Sequence, residues 1–124
     1  MKSILLTLFV IMGVFSSTAQ TELTDDNAID SLNINNDRLR VLYFYDTSSE
    51  DCIEMHQIIK GSEEVFKEHV DFFKIDVNKN EIDSDLYIST VPTCLFIKNS
   101  ELLKQVEGRV HQFSMFDLIL EHYK

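Results

Sequence analysis

The sequence predicts a single α/β domain in which a mixed central β-sheet is flanked by helices. The chain has 124 residues, which is the length of one ordinary domain. Its hydrophobic fraction of 44% is enough to form a packed core. Strand-like and helix-like segments alternate along it, as they do where parallel strands are joined by right-handed crossovers.

Residues 1–19 have the pattern of a secretory signal peptide. Lys2 supplies the positive charge, Ile4–Phe15 is an apolar run, and Ser16–Ala19 provides small residues before a cut. An uncleaved anchor is the weaker alternative, because such a run spans roughly 18 Å as a helix and the hydrocarbon core is ~30 Å thick. We expect a domain over residues 20–124 that is exported, periplasmic or extracellular, with no membrane segment after cleavage.

The secondary structure elements follow from local periodicity. Residues 21–36 are polar with spaced apolar positions, which predicts a short helix that Thr24 can cap. Strands are predicted from β-branched and aromatic runs at Val41–Tyr45, Val70–Val77, Thr93–Ile97 and Leu102–Val106. Helical segments are predicted at Cys52–Ile59, Glu63–His69 and His111–Tyr123, and a short helix or turn at Ser84–Ser89. Gly61 is expected to break or bend the helix between the first two segments. The short turn near Asn99 predicts that the last two strands form an antiparallel hairpin.

Charge and composition exclude several classes of partner. Lys and Arg total 11 and Asp and Glu total 21, which gives a formal charge of -10. Nucleic-acid phosphates and anionic lipids repel such a chain, so neither is expected as a partner. Cys52 and His56, one helical turn apart, could bind a metal with Cys94. Two ligands on one turn often arise by chance, and we expect no metal and no other cofactor.

Several stretches of the sequence resemble the thioredoxin family. Val41–Cys52 resembles the family's central strand and active-site loop, and Lys74–Asn78 resembles the end of its next strand. Thr90–Asn99 resembles the cis-proline loop and hairpin, and Glu107–Arg109 includes the glycine before the last helix. The resemblance covers nearly all of the chain after the signal peptide. It implies a single thioredoxin-like domain with a cis bond before Pro92.

The sequence departs from the family at the residues that carry its chemistry. The motif reads Ser49-Glu50-Asp51-Cys52, with Ser49 where the family has its nucleophilic first Cys. A serine hydroxyl is barely ionised and forms no exchangeable S–S bond. The buried Asp and Lys of the family correspond here to Tyr43 and Phe72, so the proton relay is also missing.

The resemblance therefore implies an exported, redox-impaired thioredoxin-like protein that binds a polypeptide partner. Pairing with a peptide needs only backbone groups and a groove, so this surface can survive loss of the first cysteine. The expected binding residues are Ser48, Glu50, Asp51, Val91, Pro92 and Gly108. Whether the chain is an enzyme stays open. The alternative is a thiol–disulfide oxidoreductase in which Cys52 acts as a monothiol or forms a redox pair with Cys94.

Overall fold

The computed structural model describes residues 21–24 and 37–123. Its elements in chain order are β1 (Thr21–Glu22), β2 (Leu39–Tyr45), α1 (Glu50–Phe66), β3 (Val70–Asp76), α2 (Ile82–Asp85), β4 (Thr93–Lys98), β5 (Glu101–Glu107) and α3 (Gln112–His122). The predicted signal peptide and most of the helix predicted over residues 21–36 lie outside the described residues.

The five strands form one mixed sheet in the order β1-β3-β2-β4-β5. Strand β3 runs parallel to both β1 and β2, whereas β4 runs antiparallel to β2 and to β5. Asn99 and Ser100 join β4 to β5 and both have positive φ angles, of 53° and 63°. Two consecutive residues with positive φ form a turn whose backbone twist matches the right-handed twist of the two strands that it joins. The predicted α/β domain with a mixed sheet, and its closing hairpin, are confirmed.

Strand β2 lies at the centre of the sheet and is buried on both faces, which explains the apolar and aromatic run Val41–Tyr45 within it. Val41 and Tyr43 face one core with residues of α1 and α3. Leu42 and Phe44 face the second core on the opposite side of the sheet. The carboxyl end of β2 is thereby held rigidly, and the chain leaves it directly into the loop before α1.

Gly61 does not end the first long helix, because α1 continues from Glu50 to Phe66. Of the two effects expected of Gly61, a break in the helix is therefore wrong. The glycine permits a close approach by α3 instead, since a Cβ atom at position 61 would lie 2.6 Å from Oε1 of Gln112. The Gln112 amide donates to the carbonyl of Ile58 at 3.0 Å and to Oγ of Ser62 at 2.8 Å. These contacts fasten α3 to α1.

Other differences from the predicted elements are small. Strand β1 was not predicted, because two residues are too few to show periodicity. The short helix α2 spans Ile82–Asp85, so it begins two residues and ends four residues before the helix or turn expected at Ser84–Ser89. Among the helices of the described residues, none is both long enough and apolar enough to cross a membrane.

Candidate functional site

The candidate site begins in the loop that connects β2 to α1. Asp46 orders this loop, because its Oδ1 atom accepts hydrogen bonds from the backbone N–H and the hydroxyl of Ser48, at 2.9 and 2.8 Å. The side-chain amide of Asn78 donates to the same oxygen at 3.0 Å. These bonds, the backbone one first, lower the pKa of Asp46 below its ordinary value of 3.8. The ionised carboxylate therefore holds the loop in shape.

Ser49 is the N-cap of α1. Its backbone is extended, and its Oγ atom accepts a hydrogen bond from the backbone N–H of Cys52 at 3.4 Å. Serine is among the residues most favoured at this position, because its side chain satisfies an N–H group that has no partner within the helix. Glu50 and Asp51 follow in the first turn, where negative charge is favourable to the helix dipole.

Cys52 is buried, with an exposed fraction of 2%. Its Sγ atom lies 3.4 Å from the backbone nitrogen of Asp46, which donates a hydrogen bond to it. The hydroxyl of Tyr43 donates to the carbonyl of Cys52 at 2.8 Å. A tyrosine therefore fills the space behind the cysteine, and its burial raises the pKa of the Tyr43 hydroxyl above the ordinary value.

Cys94 lies on β4 directly opposite Tyr43 in the antiparallel register. It is fully buried, and this burial raises the pKa of the Cys94 thiol far above its ordinary value. Both cysteines are free thiols in the structure, with no disulfide between them. Neither thiol is presented on the protein surface.

A cavity of about 320 Å³ opens beside the start of α1. Its lining comes from β2, β3, α1 and the loop before α1, and comprises Tyr43, Tyr45, Asp46, Thr47, Cys52, Ile53, His56, Gln57 and Lys74.

Lys74 was not recognised from the sequence as a site residue, because Phe72 was aligned with the family's buried lysine. The alternation of side chains along a strand could have identified it, because Lys74 is two residues after Phe72 and therefore lies on the same face of β3. It pairs with Tyr43 in the parallel register.

The predicted cis-proline loop packs on the other side of β2. The peptide bond between Val91 and Pro92 is cis. The Pro92 carbonyl accepts a hydrogen bond from the backbone N–H of Gly108 at 2.7 Å, and Gly108 has a φ of 87°, which favours glycine. Within the described part of the chain, the backbone N–H and C=O of half-buried Val91 form no hydrogen bond. These groups are available to a partner.

Arg109 connects the end of the hairpin to the start of α1. Its Nε atom lies 2.8 Å from a carboxylate oxygen of Glu54 and 3.9 Å from one of Asp51. These groups are largely exposed, so the contact contributes little to stability. It does place Gly108 and the acidic first turn of α1 side by side. Sequence reasoning did not single out Arg109.

The structure thus brings together most of the binding residues expected from the sequence. Ser48, Glu50 and Asp51 line the exposed start of α1, and the neighbours of Gly108 link this turn to the cis-proline loop. Within residues 21–24 and 37–123, no group of three or more His, Cys, Asp or Glu side chains is placed to bind a metal ion.

Comparison with known proteins decides the family. The family model described as thioredoxin matches residues 20–121, which is most of the chain. The chain belongs to the thioredoxin family. No curated protein matches it.

Two solved structures show the same fold. One is Malassezia sympodialis thioredoxin (Mala s 13), with a TM-score of 0.75 and 19% identity, covering 86% of this chain and 92% of that chain. The other is described as the structural basis of the thiol resolving mechanism in yeast mitochondrial 1-Cys peroxiredoxin via glutathione/thioredoxin systems. It has a TM-score of 0.74 and 21% identity, and covers 84% of this chain and 96% of that chain. At these identities the likeness supports the thioredoxin fold alone.

Proposed function

We propose that this thioredoxin-family protein is exported, does not exchange disulfides efficiently, and binds an extended segment of a polypeptide across the surface between Ser49 and Val91. One observation carries the proposal: this surface offers backbone groups at Val91 that have no partner within residues 21–24 and 37–123, but no exposed thiol. Binding by main-chain pairing requires the first feature. Disulfide exchange requires the second.

The redox impairment follows from Ser49. In the alignment with the family motif, Ser49 replaces the attacking cysteine, and its Oγ atom is engaged in capping α1. The two remaining thiols belong to Cys52 and Cys94, which are 2% and 0% exposed. A disulfide in a folded or extended partner cannot approach a thiol that is covered in this way.

The peptide-binding surface follows from the position of Val91. Val91 precedes β4, which lies next to β2, so the cis-proline loop and the loop before α1 are neighbours at one end of the sheet. An extended peptide that passes along Val91 can accept from its N–H and donate to its C=O. Such main-chain bonds supply affinity, and the surrounding side chains supply specificity.

The charge of this surface favours a basic segment as the bound partner. Glu50, Asp51 and Glu54 are exposed in the first turns of α1, and Arg109 neutralises them only in part. The whole chain has a formal charge of -10, so a cationic peptide is also attracted at long range. We therefore propose an extended, lysine- or arginine-rich stretch of polypeptide as the ligand.

Export is proposed from the first nineteen residues of the sequence. The match to the thioredoxin family starts at residue 20, directly after the expected cleavage site, which supports a domain boundary there. An intact mass measured on the protein recovered from the exported fraction tests this part. A product that begins at Gln20 is expected, whereas a full-length product contradicts cleavage.

Peptide binding is tested by fluorescence anisotropy with a labelled, cysteine-free, lysine-rich peptide. The double charge reversal Glu50→Lys and Asp51→Lys should weaken binding about tenfold or more, because two attractive charges become repulsive. Glu64→Lys, an exposed reversal farther along α1, is the control and should change affinity by much less. Equal affinities for the wild type and the double variant would show that the peptide does not bind at this surface.

The second candidate function uses Cys52 as a monothiol. The observation in its favour is that Cys52, although 2% exposed, lines the cavity beside α1, so a small disulfide could reach it without contacting the outer surface. Incubation with oxidised glutathione followed by intact-mass measurement separates the two functions. Rapid addition of one glutathione to the native protein supports the monothiol, and addition only after unfolding supports the binding protein.

A further inference from the structure

We propose that the cavity beside Cys52 binds a small aromatic carboxylate. The cavity is formed on the β3 side of β2, whereas Val91 and Pro92 precede β4 on the other side. It is therefore a second site, and its occupation does not depend on the polypeptide binding proposed above. Three features of its lining identify the ligand: its donors, its carboxylates and its rings.

Three side-chain donors of the lining, those of Lys74, His56 and Gln57, have no acceptor among the residues that the structure describes. Lys74 is half-buried, and no carboxylate of the described residues lies within 4.0 Å of its ammonium group. His56 is also half-buried, and the side chains of His56 and Gln57 form no hydrogen bond within the described ranges. An ammonium group offers three donors and the amide of Gln57 offers two. Partly buried donors such as those of Lys74 and His56 are normally satisfied, so the arrangement suits a ligand that accepts hydrogen bonds.

Two carboxylates near the cavity each accept hydrogen bonds through one oxygen. Oδ1 of Asp46 accepts three hydrogen bonds, two from Ser48 and one from Asn78. Glu22 accepts the hydroxyl hydrogen of Tyr45 at 2.9 Å. Both carboxylates keep their negative charge, and the donors that remain for a ligand belong to Lys74, His56 and Gln57. A ligand carboxylate satisfies several of them at once, and its charge is balanced by Lys74.

The remaining wall is aromatic. The rings of Tyr43 and Tyr45 are stacked, with centroids 5.4 Å apart and planes inclined by 22°. His56 lies beside both rings, and Ile53 adds an exposed apolar side chain, 57% accessible. A flat ring packs well against such a wall. The volume of about 320 Å³ is at the lower end of the range for ligand cavities, so the ligand is a single-ring compound.

The test is a titration of the isotope-labelled chain with benzoate, followed by amide chemical shifts in two-dimensional NMR. Benzoate should cause saturable shifts at residues that line the cavity, such as Cys52 and His56. Benzamide, which has the same shape without the charge, should bind more weakly. Lys74→Met should reduce the benzoate affinity about tenfold or more, because a charge-assisted hydrogen bond is lost. Lys79→Met removes an exposed lysine outside the lining and is the matched control.

Three results would overturn the proposal. They are the absence of saturable shifts at the lining residues, equal affinity for benzamide, and an unchanged benzoate affinity in Lys74→Met. The spectrum and the thermal midpoint of Lys74→Met show whether the variant is folded. If that variant fails to fold, Gln57→Leu is titrated instead, since Gln57 is exposed at the cavity and its loss should also weaken benzoate binding.

Discussion

The Oγ atom of Ser49 accepts a hydrogen bond from the backbone N–H of Cys52 at 3.4 Å, so the hydroxyl caps the helix that buries the thiol. In the alignment proposed with the thioredoxin motif, this hydroxyl stands where the family has its attacking sulfur. The residue therefore has a structural role that does not depend on redox chemistry. That role also determines what a substitution at this position will do.

Ser49→Cys should introduce a dithiol motif but only slow disulfide exchange. Glu50 and Asp51 next to the new thiol oppose its ionisation, and Tyr43 cannot act as the buried proton acceptor of the family. The variant should also lose about 1 kcal/mol of stability with the cap. Insulin reduction measures the activity and urea unfolding the stability. Ser49→Ala, which loses the cap without gaining a thiol, is the control. Exchange as fast as that of a Cys-x-x-Cys thioredoxin would show that the acidic neighbours and Tyr43 are unimportant.

Cys52→Ala should destabilise the fold by about 1–2 kcal/mol through lost packing and should leave peptide binding unchanged. The reason is that Cys52 is 2% exposed and contacts the Asp46 backbone and Tyr43 rather than a partner surface. Urea unfolding and the anisotropy titration measure the two effects. Alkylation of the wild type adds an independent check: the native thiol should react slowly and the unfolded thiol quickly. Fast native alkylation together with lost peptide binding in Cys52→Ala would favour the monothiol function.

Gly61→Ala should destabilise the protein although alanine is the better helix former. The new methyl group must displace the Gln112 side chain, whose two hydrogen bonds to α1 are each worth about 0.5–1.5 kcal/mol. In a Gln112→Ala background the same change should stabilise the protein by roughly 0.5–1 kcal/mol, because only helix propensity remains. Urea unfolding of the four proteins forms a double-mutant cycle. The same effect of Gly61→Ala in both backgrounds would contradict the contact.

His56 should make stability fall as the solution is acidified. Burial, and then the positive charges of Lys74 and Lys60, lower the pKa of His56 below its ordinary value of 6.5. The unfolded chain therefore takes up this proton first, and stability is lost between pH 6.5 and the lower pKa of the folded state. The urea concentration at the unfolding midpoint, measured from about pH 7.5 to about pH 5, should fall less steeply with decreasing pH in His56→Gln than in the wild type. His111→Gln is the control, because His111 is exposed. The same pH dependence of stability in the wild type and in His56→Gln would show that His56 is not responsible for it.

The order of strands and helices could be predicted because each strand of the sheet except β1 is a continuous or alternating apolar run. The burial of β2 on both faces followed from the run Val41–Tyr45, although the strand also contains the buried Arg40. Whether Gly61 breaks α1 could not be decided from the sequence. Gly61 usually marks a helix end, and the close approach of Gln112 that explains it depends on a residue about fifty positions away.

The candidate site could be predicted where its residues are close in sequence. Ser49 and Cys52 are three positions apart at the start of a helix, so their proximity follows from helical geometry. Lys74 and Arg109 were missed because their contacts depend on strand register and on how the hairpin packs. Alternation along β3 places Lys74 on the same face as Phe72, but only the pairing with β2 places it beside Tyr43.

Amide hydrogen exchange at Val91, measured by NMR with and without saturating lysine-rich peptide, tests the central claim most directly. In the free protein this N–H has no hydrogen-bond partner among the described residues, so it should exchange rapidly. Pairing with an extended peptide should protect it, and the protection should also occur in Cys52→Ala. Peptide binding that leaves the Val91 amide unprotected, or protection that needs the Cys52 thiol, would contradict non-covalent binding at this surface.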